Sequence, residues 1–151
     1  MIWLVDTNVL LRWSDRDSPR HRDCADAVDK LIDQGDEICT CAQVLIEYWV
    51  TATRPRDVNG FGLSIVQAAG QLSVVHGSFP CLVEPHEIAD LWQQVVLTYK
   101  TMGKQAHDAR LVALILAHGV THLLTLNPGD FARYKDITSV TPREVLSQHS
   151  A

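Results

Sequence analysis

Two carboxylates in this sequence follow segments that are typical of buried strands. Asp6 comes directly after a run of four apolar residues, and Asp130 follows a second strand-like segment at residues 121–126. Open α/β sheets bind their ligands beyond the carboxyl ends of the strands, so both side chains are candidates for chemistry. Each also has a simpler interpretation, because Asp6 could cap a helix and Asp130 could belong to an ordinary turn.

Two further carboxylates lie on predicted helices. Glu47 is within a very apolar helix predicted over residues 42–53, and Asp108 lies near the start of a helix predicted over residues 104–118. Taken singly, Glu47 could form the polar stripe of its helix, and Asp108 could be a first-turn acid that the helix dipole favours. Acids at two strand ends and on two helices together predict a carboxylate cluster over one edge of a sheet.

Such a cluster would favour a hard divalent cation. Like-charged carboxylates a few ångströms apart cannot all remain ionised unless a cation neutralises them. Oxygen ligands without a usable set of histidines or cysteines suit Mg²⁺ or Mn²⁺. A metal-bound water can attack a phosphodiester in line while the ion offsets charge on the leaving oxygen. The pattern therefore predicts metal-assisted phosphodiester hydrolysis.

The histidines and cysteines indicate no competing chemistry. None of the seven histidines pairs with a serine or cysteine in a way that suggests a nucleophilic triad. The four cysteines lack the spacing of a zinc site, and we expect them to be reduced.

The carboxylates can meet only if the elements that carry them alternate along the chain. Short strands are predicted over residues 2–5, 37–40, 81–83, 121–126 and 137–140. Helices are predicted over residues 9–13, 19–34, 42–53, 63–75, 86–99 and 104–118, with a last one that Thr141 caps and Pro142 opens. This alternation predicts an α/β fold with a parallel sheet between helices, in one domain spanning residues 1–151.

The composition is that of an ordinary globular protein. The chain has 151 residues, 46% of them hydrophobic and 21% charged, with a formal net charge of −5. This balance argues against a protein that coats nucleic acid by bulk positive charge. Because no apolar run approaches the length of a membrane span and no signal segment is evident, we expect a cytoplasmic protein with no membrane association.

Four blocks of the sequence carry a family resemblance. They are LVDTNVL at residues 4–10, Glu47, HDA at residues 107–109 and LTLNPGDF at residues 124–131. In order and spacing they resemble the blocks of PIN-domain ribonucleases, and more closely those of the VapC toxins of bacterial type II toxin–antitoxin pairs. The resemblance implies a three-layer PIN-like fold and an acidic pocket that holds Mg²⁺ or Mn²⁺.

The resemblance also implies a role for each acid. Asp6, Glu47, Asp108 and Asp130 take the places of the family's catalytic acids. We expect Asp6 and Asp108 to be direct metal ligands, and Glu47 to be a ligand or the group that orients the attacking water. Asp130 is expected to act through a coordinated water.

Four polar residues are expected to support the acids. Thr7 or Asn8 would orient the first carboxylate, and Thr125 would form a hydrogen bond within the cluster. Asn127 stands where some relatives carry an acid. The sequence therefore leaves open whether Asn127 or Asp130 completes the site.

The resemblance implies partners as well. They are an RNA substrate, a second copy of the chain in a homodimer, and a cognate antitoxin whose C-terminal segment lies across the active-site groove. Candidates to steer the RNA backbone are the basic residues Arg12, Arg16, Lys104 and Arg110.

Two other functions fit parts of the sequence. A phosphatase of the haloacid dehalogenase type also places an early Asp after a strand, but it needs a second acid two residues later, where this chain has Asn8. A non-catalytic PIN-like module that binds RNA or protein would share the fold without the reaction. All four acidic blocks are present, so nothing in the sequence argues for lost activity.

Overall fold

The computed structural model describes residues 1–148 and contains one parallel sheet of five strands. The strand order is β3-β2-β1-β4-β5, so the first strand lies at the centre. The bounds are β1 Ile2–Val5, β2 Glu37–Cys41, β3 Cys81–Leu82, β4 His122–Leu124 and β5 Thr138–Val140. The predicted parallel sheet is thus confirmed.

Seven α-helices, counted over residues 1–148, flank this sheet. They are α1 Thr7–Ser14, α2 His21–Asp33, α3 Ala42–Thr53, α4 Ile65–Ser78, α5 Ile88–Tyr99, α6 Ala106–Ala117 and α7 Pro142–Ser147. Helix α2 packs against α1 and α7, and α5 packs against α6. The result is the predicted three-layer α/β architecture. None of the helices in this part of the chain has the length and apolarity that a membrane crossing requires.

The central strands are buried because helices cover both of their faces. Leu4 and Val5 of β1 and Leu123 and Leu124 of β4 are all inaccessible to solvent. A continuous apolar run, instead of alternation, is what a strand covered on both faces requires. These residues form the centre of the hydrophobic core.

Some predicted boundaries were wrong, for identifiable reasons. The strand predicted to reach residue 126 ends at Leu124, because the backbone N–H of Leu126 donates to Oδ1 of Asn8 at 3.1 Å instead of to a neighbouring strand. Helix α4 starts at Ile65, two residues later than predicted, because Ser64 and Gln67 form a capping box there.

The order of the strands creates a crevice between β1 and β4. The chain builds β1, β2 and β3 outward in one direction and then returns to place β4 on the other side of β1. Connections on the two sides of this point therefore leave the sheet in different directions. Such a topological switch point is where open α/β sheets bind ligands.

Candidate active site

Asp6 and Thr125 lie side by side because of the register between β1 and β4. Val5 pairs with Leu124 at the ends of the two strands. The residues that follow them, Asp6 and Thr125, therefore lie next to each other at the same edge of the sheet. The backbone N–H of Asp6 donates to the carbonyl of Leu124 at 2.9 Å, which extends the pairing by one residue. The hydroxyl of Thr125 then donates to Oδ2 of Asp6 at 2.7 Å. A hydrogen-bonded carboxylate therefore lies at the switch point of the sheet.

Asp6 is buried and held by two further donors. Its Oδ1 accepts the backbone N–H of Thr7 at 2.8 Å, so Asp6 is the N-cap of α1 as well as a cleft carboxylate. Its Oδ2 accepts Nδ2 of Asn8 at 3.2 Å. Asp6 therefore caps α1 and also lines the cleft, because capping uses only one of its two carboxylate oxygens.

Glu47 is held from two sides although its residue is exposed. The hydroxyl of Thr7 donates to Oε2 of Glu47 at 3.0 Å, and Nε2 of Gln43 donates to Oε1 at 3.2 Å. The same Nε2 donates to the carbonyl of His107 at 2.8 Å. Gln43 therefore ties the carboxylate on α3 to the residue that precedes Asp108 on α6. This role could not be predicted from the sequence, because a glutamine on a helix is usually a surface residue.

All four predicted acids line one open cleft of about 420 Å³. Within residues 1–148, its wall combines these carboxylates with small polar groups, apolar side chains and one basic residue: Asp6, Thr7, Asn8, Leu11, Glu47, Val50, Thr51, Arg54, Asp108, Asp130 and Phe131. Asn127 is exposed and is not part of this wall, whereas Asp130 is. Thr125 lies fully buried behind Asp6.

Burial raises the pKa of two of the cleft carboxylates, and neighbouring charges add to both shifts. Burial raises the pKa of Asp6 from 3.8 to about 6, although hydrogen bonds from Thr125 and Thr7 oppose the shift, and the charges of Glu47 and Asp108 add to it. Burial also raises the pKa of Asp108, and the charges of Asp130 and Glu47 raise it further. Perturbed carboxylates gathered in a cleft are typical of functional sites.

The donor set of the cleft fits a hard divalent cation. Its acidic groups are all carboxylates, and their mutual repulsion is what a cation would relieve. As they stand, no three acidic, histidine or cysteine side chains in residues 1–148 converge closely enough to hold an ion. The cleft therefore matches such an ion in the chemistry of its donors.

The four basic residues predicted to steer RNA lie in different surroundings. Arg12 stacks over the ring of Phe61, with its guanidinium carbon 5.9 Å from the ring centroid. Arg16 lines a separate cavity of about 650 Å³ that shares no residue with the acidic cleft. Lys104 is exposed in the short 3₁₀ turn before α6. Arg110 donates to Oε1 of Gln43 at 2.9 Å and pairs with Glu84.

The family model of the PIN domain matches residues 3–137. This chain belongs to the PIN-domain family. The matched range includes the four cleft carboxylates and the parallel sheet except Ile2 at the start of β1 and the whole of β5. No curated protein sequence matches this PIN domain at a significant level.

Solved structures with the same fold come from toxin–antitoxin systems. The VapBC2 complex of Rickettsia felis bound to a promoter DNA fragment aligns with a TM-score of 0.70 at 13% identity, over 93% of this chain and 98% of that chain. VapBC-1 of nontypeable Haemophilus influenzae aligns with a TM-score of 0.68 at 16% identity, over 95% and 99%. VapC20 of Mycobacterium tuberculosis, a toxin that cleaves the sarcin–ricin loop, aligns with a TM-score of 0.52 at 16% identity, over 80% and 86%. At these identities the likeness establishes the fold.

Proposed function

We propose that this PIN-domain protein is an endoribonuclease that depends on Mg²⁺ or Mn²⁺ and acts as the toxin of a VapBC-type pair. The observation that carries the proposal is that Asp6, Glu47, Asp108 and Asp130 all line one cleft at the switch point of the sheet. Membership of the PIN family and the shared fold with an RNA-cleaving toxin support the choice of substrate class.

In the proposed site, Asp6 and Asp108 would hold the cation directly and Asp130 would act through a coordinated water. When bound, the ion supplies an activated water and offsets charge on the leaving oxygen. Thr125 and Asn8 fix the carboxylate of Asp6 so that its orientation does not depend on the ion. Burial of Asp6 keeps bulk water away from this ligand and strengthens its interaction with any cation in the cleft.

We assign to Glu47 the role of orienting the attacking water. Its two oxygens are already bonded to Thr7 and Gln43, so the carboxylate has a fixed direction. Each oxygen keeps a second lone pair that can accept a hydrogen bond from a water in the cleft. A carboxylate placed in this way can orient that water for in-line attack on phosphorus.

The test is RNA cleavage by the purified protein with Mg²⁺, with Mn²⁺ and with EDTA, for the wild type and for Asp6→Asn. We expect cleavage that requires both the metal and Asp6. Asp33→Asn is the matched control, because it makes the same change at an exposed position on α2 outside the cleft. An Asp6→Asn protein that cleaves at the wild-type rate would refute the assignment. Metal-independent RNA binding without cleavage would favour the non-catalytic binding module.

We further propose that the protein forms a homodimer and is neutralised by a cognate antitoxin. The structures with the same fold include VapBC complexes, in which toxin and antitoxin occur together. Sedimentation of the purified chain tests the dimer. Co-expression with the product of a small neighbouring gene, followed by the cleavage assay, tests the antitoxin. RNA binding that does not weaken with salt would contradict steering by Arg12, Arg16, Lys104 and Arg110.

A further inference from the structure

Within residues 1–148, one basic side chain lines the acidic cleft. A polyanion that approaches four carboxylates is repelled by them, and a single divalent cation offsets only part of that charge. Arg54 is the one Lys or Arg residue among those that line the cleft in the described part of the chain. It lies at the end of α3, the helix that carries Glu47.

The guanidinium of Arg54 is anchored but not neutralised. Its Nη2 donates to the carbonyl of Asn59 at 3.1 Å. No carboxylate within residues 1–148 lies at salt-bridge distance from it. A guanidinium carries five N–H donors in a fixed plane, and most of those of Arg54 are available to an oxyanion in the cleft.

The loop that follows Arg54 is built to hold this residue in place. Its backbone returns to the end of α3, where Gly62 donates its N–H to the carbonyl of Arg54 at 2.8 Å and Phe61 donates to that of Thr51 at 2.9 Å. Gly60 passes so close that a Cβ atom there would lie 1.9 Å from the carbonyl oxygen of Arg54. Only glycine permits this approach, so the position of Arg54 is specified by the loop sequence.

We propose that Arg54 binds a backbone phosphate of the RNA and so holds the strand against the carboxylate cleft. The proposal rests on the nuclease function proposed above and adds to it the residue that binds the substrate. Arginine suits this task because its planar donors match phosphate oxygens in pairs. No sequence pattern singles out Arg54, because its place in the cleft depends on the loop formed by residues 54–63.

Arg56 provides a matched comparison within the same loop. It is exposed like Arg54 and carries the same charge, two residues further along the chain. It lines a different depression, together with Asp15, Gly60 and Gln71, and is not part of the acidic cleft. Replacing either arginine by alanine removes the same positive charge and would weaken non-specific attraction of RNA equally. Only the replacement of Arg54 would also remove a direct phosphate contact in the cleft.

The experiment measures binding of a short fluorescein-labelled single-stranded RNA by anisotropy over a series of KCl concentrations. Ca²⁺ replaces Mg²⁺, and a gel confirms that the RNA remains intact. We expect Arg54→Ala to weaken binding about tenfold at low salt, as the loss of a charge-assisted hydrogen bond does. The slope of log affinity against log salt should fall by about 0.7, the value for one phosphate contact on a single strand. Arg54→Lys should recover part of the affinity, and Arg56→Ala should stay within about twofold of the wild type, as a surface charge does.

Each outcome decides between the two proposals. Equal losses for Arg54→Ala and Arg56→Ala, or no loss for Arg54→Ala, would overturn the role of Arg54 and leave metal-dependent cleavage intact. If RNA binding requires Arg54 but the wild type cleaves no RNA, the role of Arg54 would be supported and the nuclease function would be refuted. Absence of RNA binding by the wild type would overturn both.

Discussion

Asp6 should make the metal-free protein less stable as the pH rises. The pKa of this buried carboxyl is raised from 3.8 to about 6 in the folded protein, so folding favours its protonated form. Its contribution to the free energy of unfolding is therefore fully present below pH 3.8 and is lost as the pH rises through about 6. This sign is opposite to that of a salt-bridged carboxylate, which contributes stability only when ionised.

The size of the effect follows from the shift. Each pKa unit corresponds to about 1.4 kcal/mol, so the shift of Asp6 implies a loss on the order of 3 kcal/mol, most of it between about pH 4 and pH 7. Asp6→Asn removes the titrating group. The amide of the substituted residue would face the same donors, Asn8 and Thr125. This changes the free energy of unfolding by an amount that does not depend on pH.

The assay is urea unfolding in EDTA at a series of pH values for the wild type, Asp6→Asn and the control Asp33→Asn. We expect the free energy of unfolding of the wild type to fall relative to that of Asp6→Asn as the pH rises, and Asp33→Asn to follow the wild type. Saturating Mg²⁺ at neutral pH should restore the wild type and leave Asp6→Asn unchanged. A difference between the wild type and Asp6→Asn that stays constant with pH would refute the reasoning.

Two further changes test the surroundings of the site. Thr125→Val removes the hydroxyl that donates to Asp6 at 2.7 Å, and should slow cleavage roughly 10- to 100-fold with little loss of fold, as measured by cleavage rates and circular dichroism. A wild-type rate would show that this bond does not position the carboxylate. Gly60→Ala forces a Cβ against the carbonyl of Arg54 and should lower the free energy of unfolding by more than about 1 kcal/mol, whereas Gly70→Ala on α4, where a Cβ meets nothing within 4 Å, should raise it by up to about 1 kcal/mol. Urea unfolding measures both changes in the free energy of unfolding. Equal changes for Gly60→Ala and Gly70→Ala would contradict the close approach at Gly60.

The fold could be predicted because its signals are local. Apolar runs of strand length alternate with amphipathic segments, and residues such as Thr141 and Pro142 mark where α7 begins. The end of β4 could not be predicted in this way. It is set by the bond between Leu126 and the side chain of Asn8, a residue 118 positions away in the chain.

The candidate site was partly predictable for a similar reason. Asp6 and Asp130 follow strands, and strand ends meet at one edge of a parallel sheet. Gln43 and Arg54 gave no such signal, because a polar residue on a helix and a basic residue after it are ordinary surface features. What places them at the cleft is the packing of α3 against α1 and the return of the loop after Arg54.

The side-chain amide of Gln43 restricts which sequences this site can tolerate. Its nitrogen donates to Glu47 and to the carbonyl of His107, while its oxygen accepts from Arg110. A glutamate at position 43 could not donate, and a lysine could not accept. In related chains that keep this arrangement, the residues equivalent to 43 and 110 should therefore change together. An alignment of such chains would then show covariation of these two positions, and this covariation would reveal their contact without a structure.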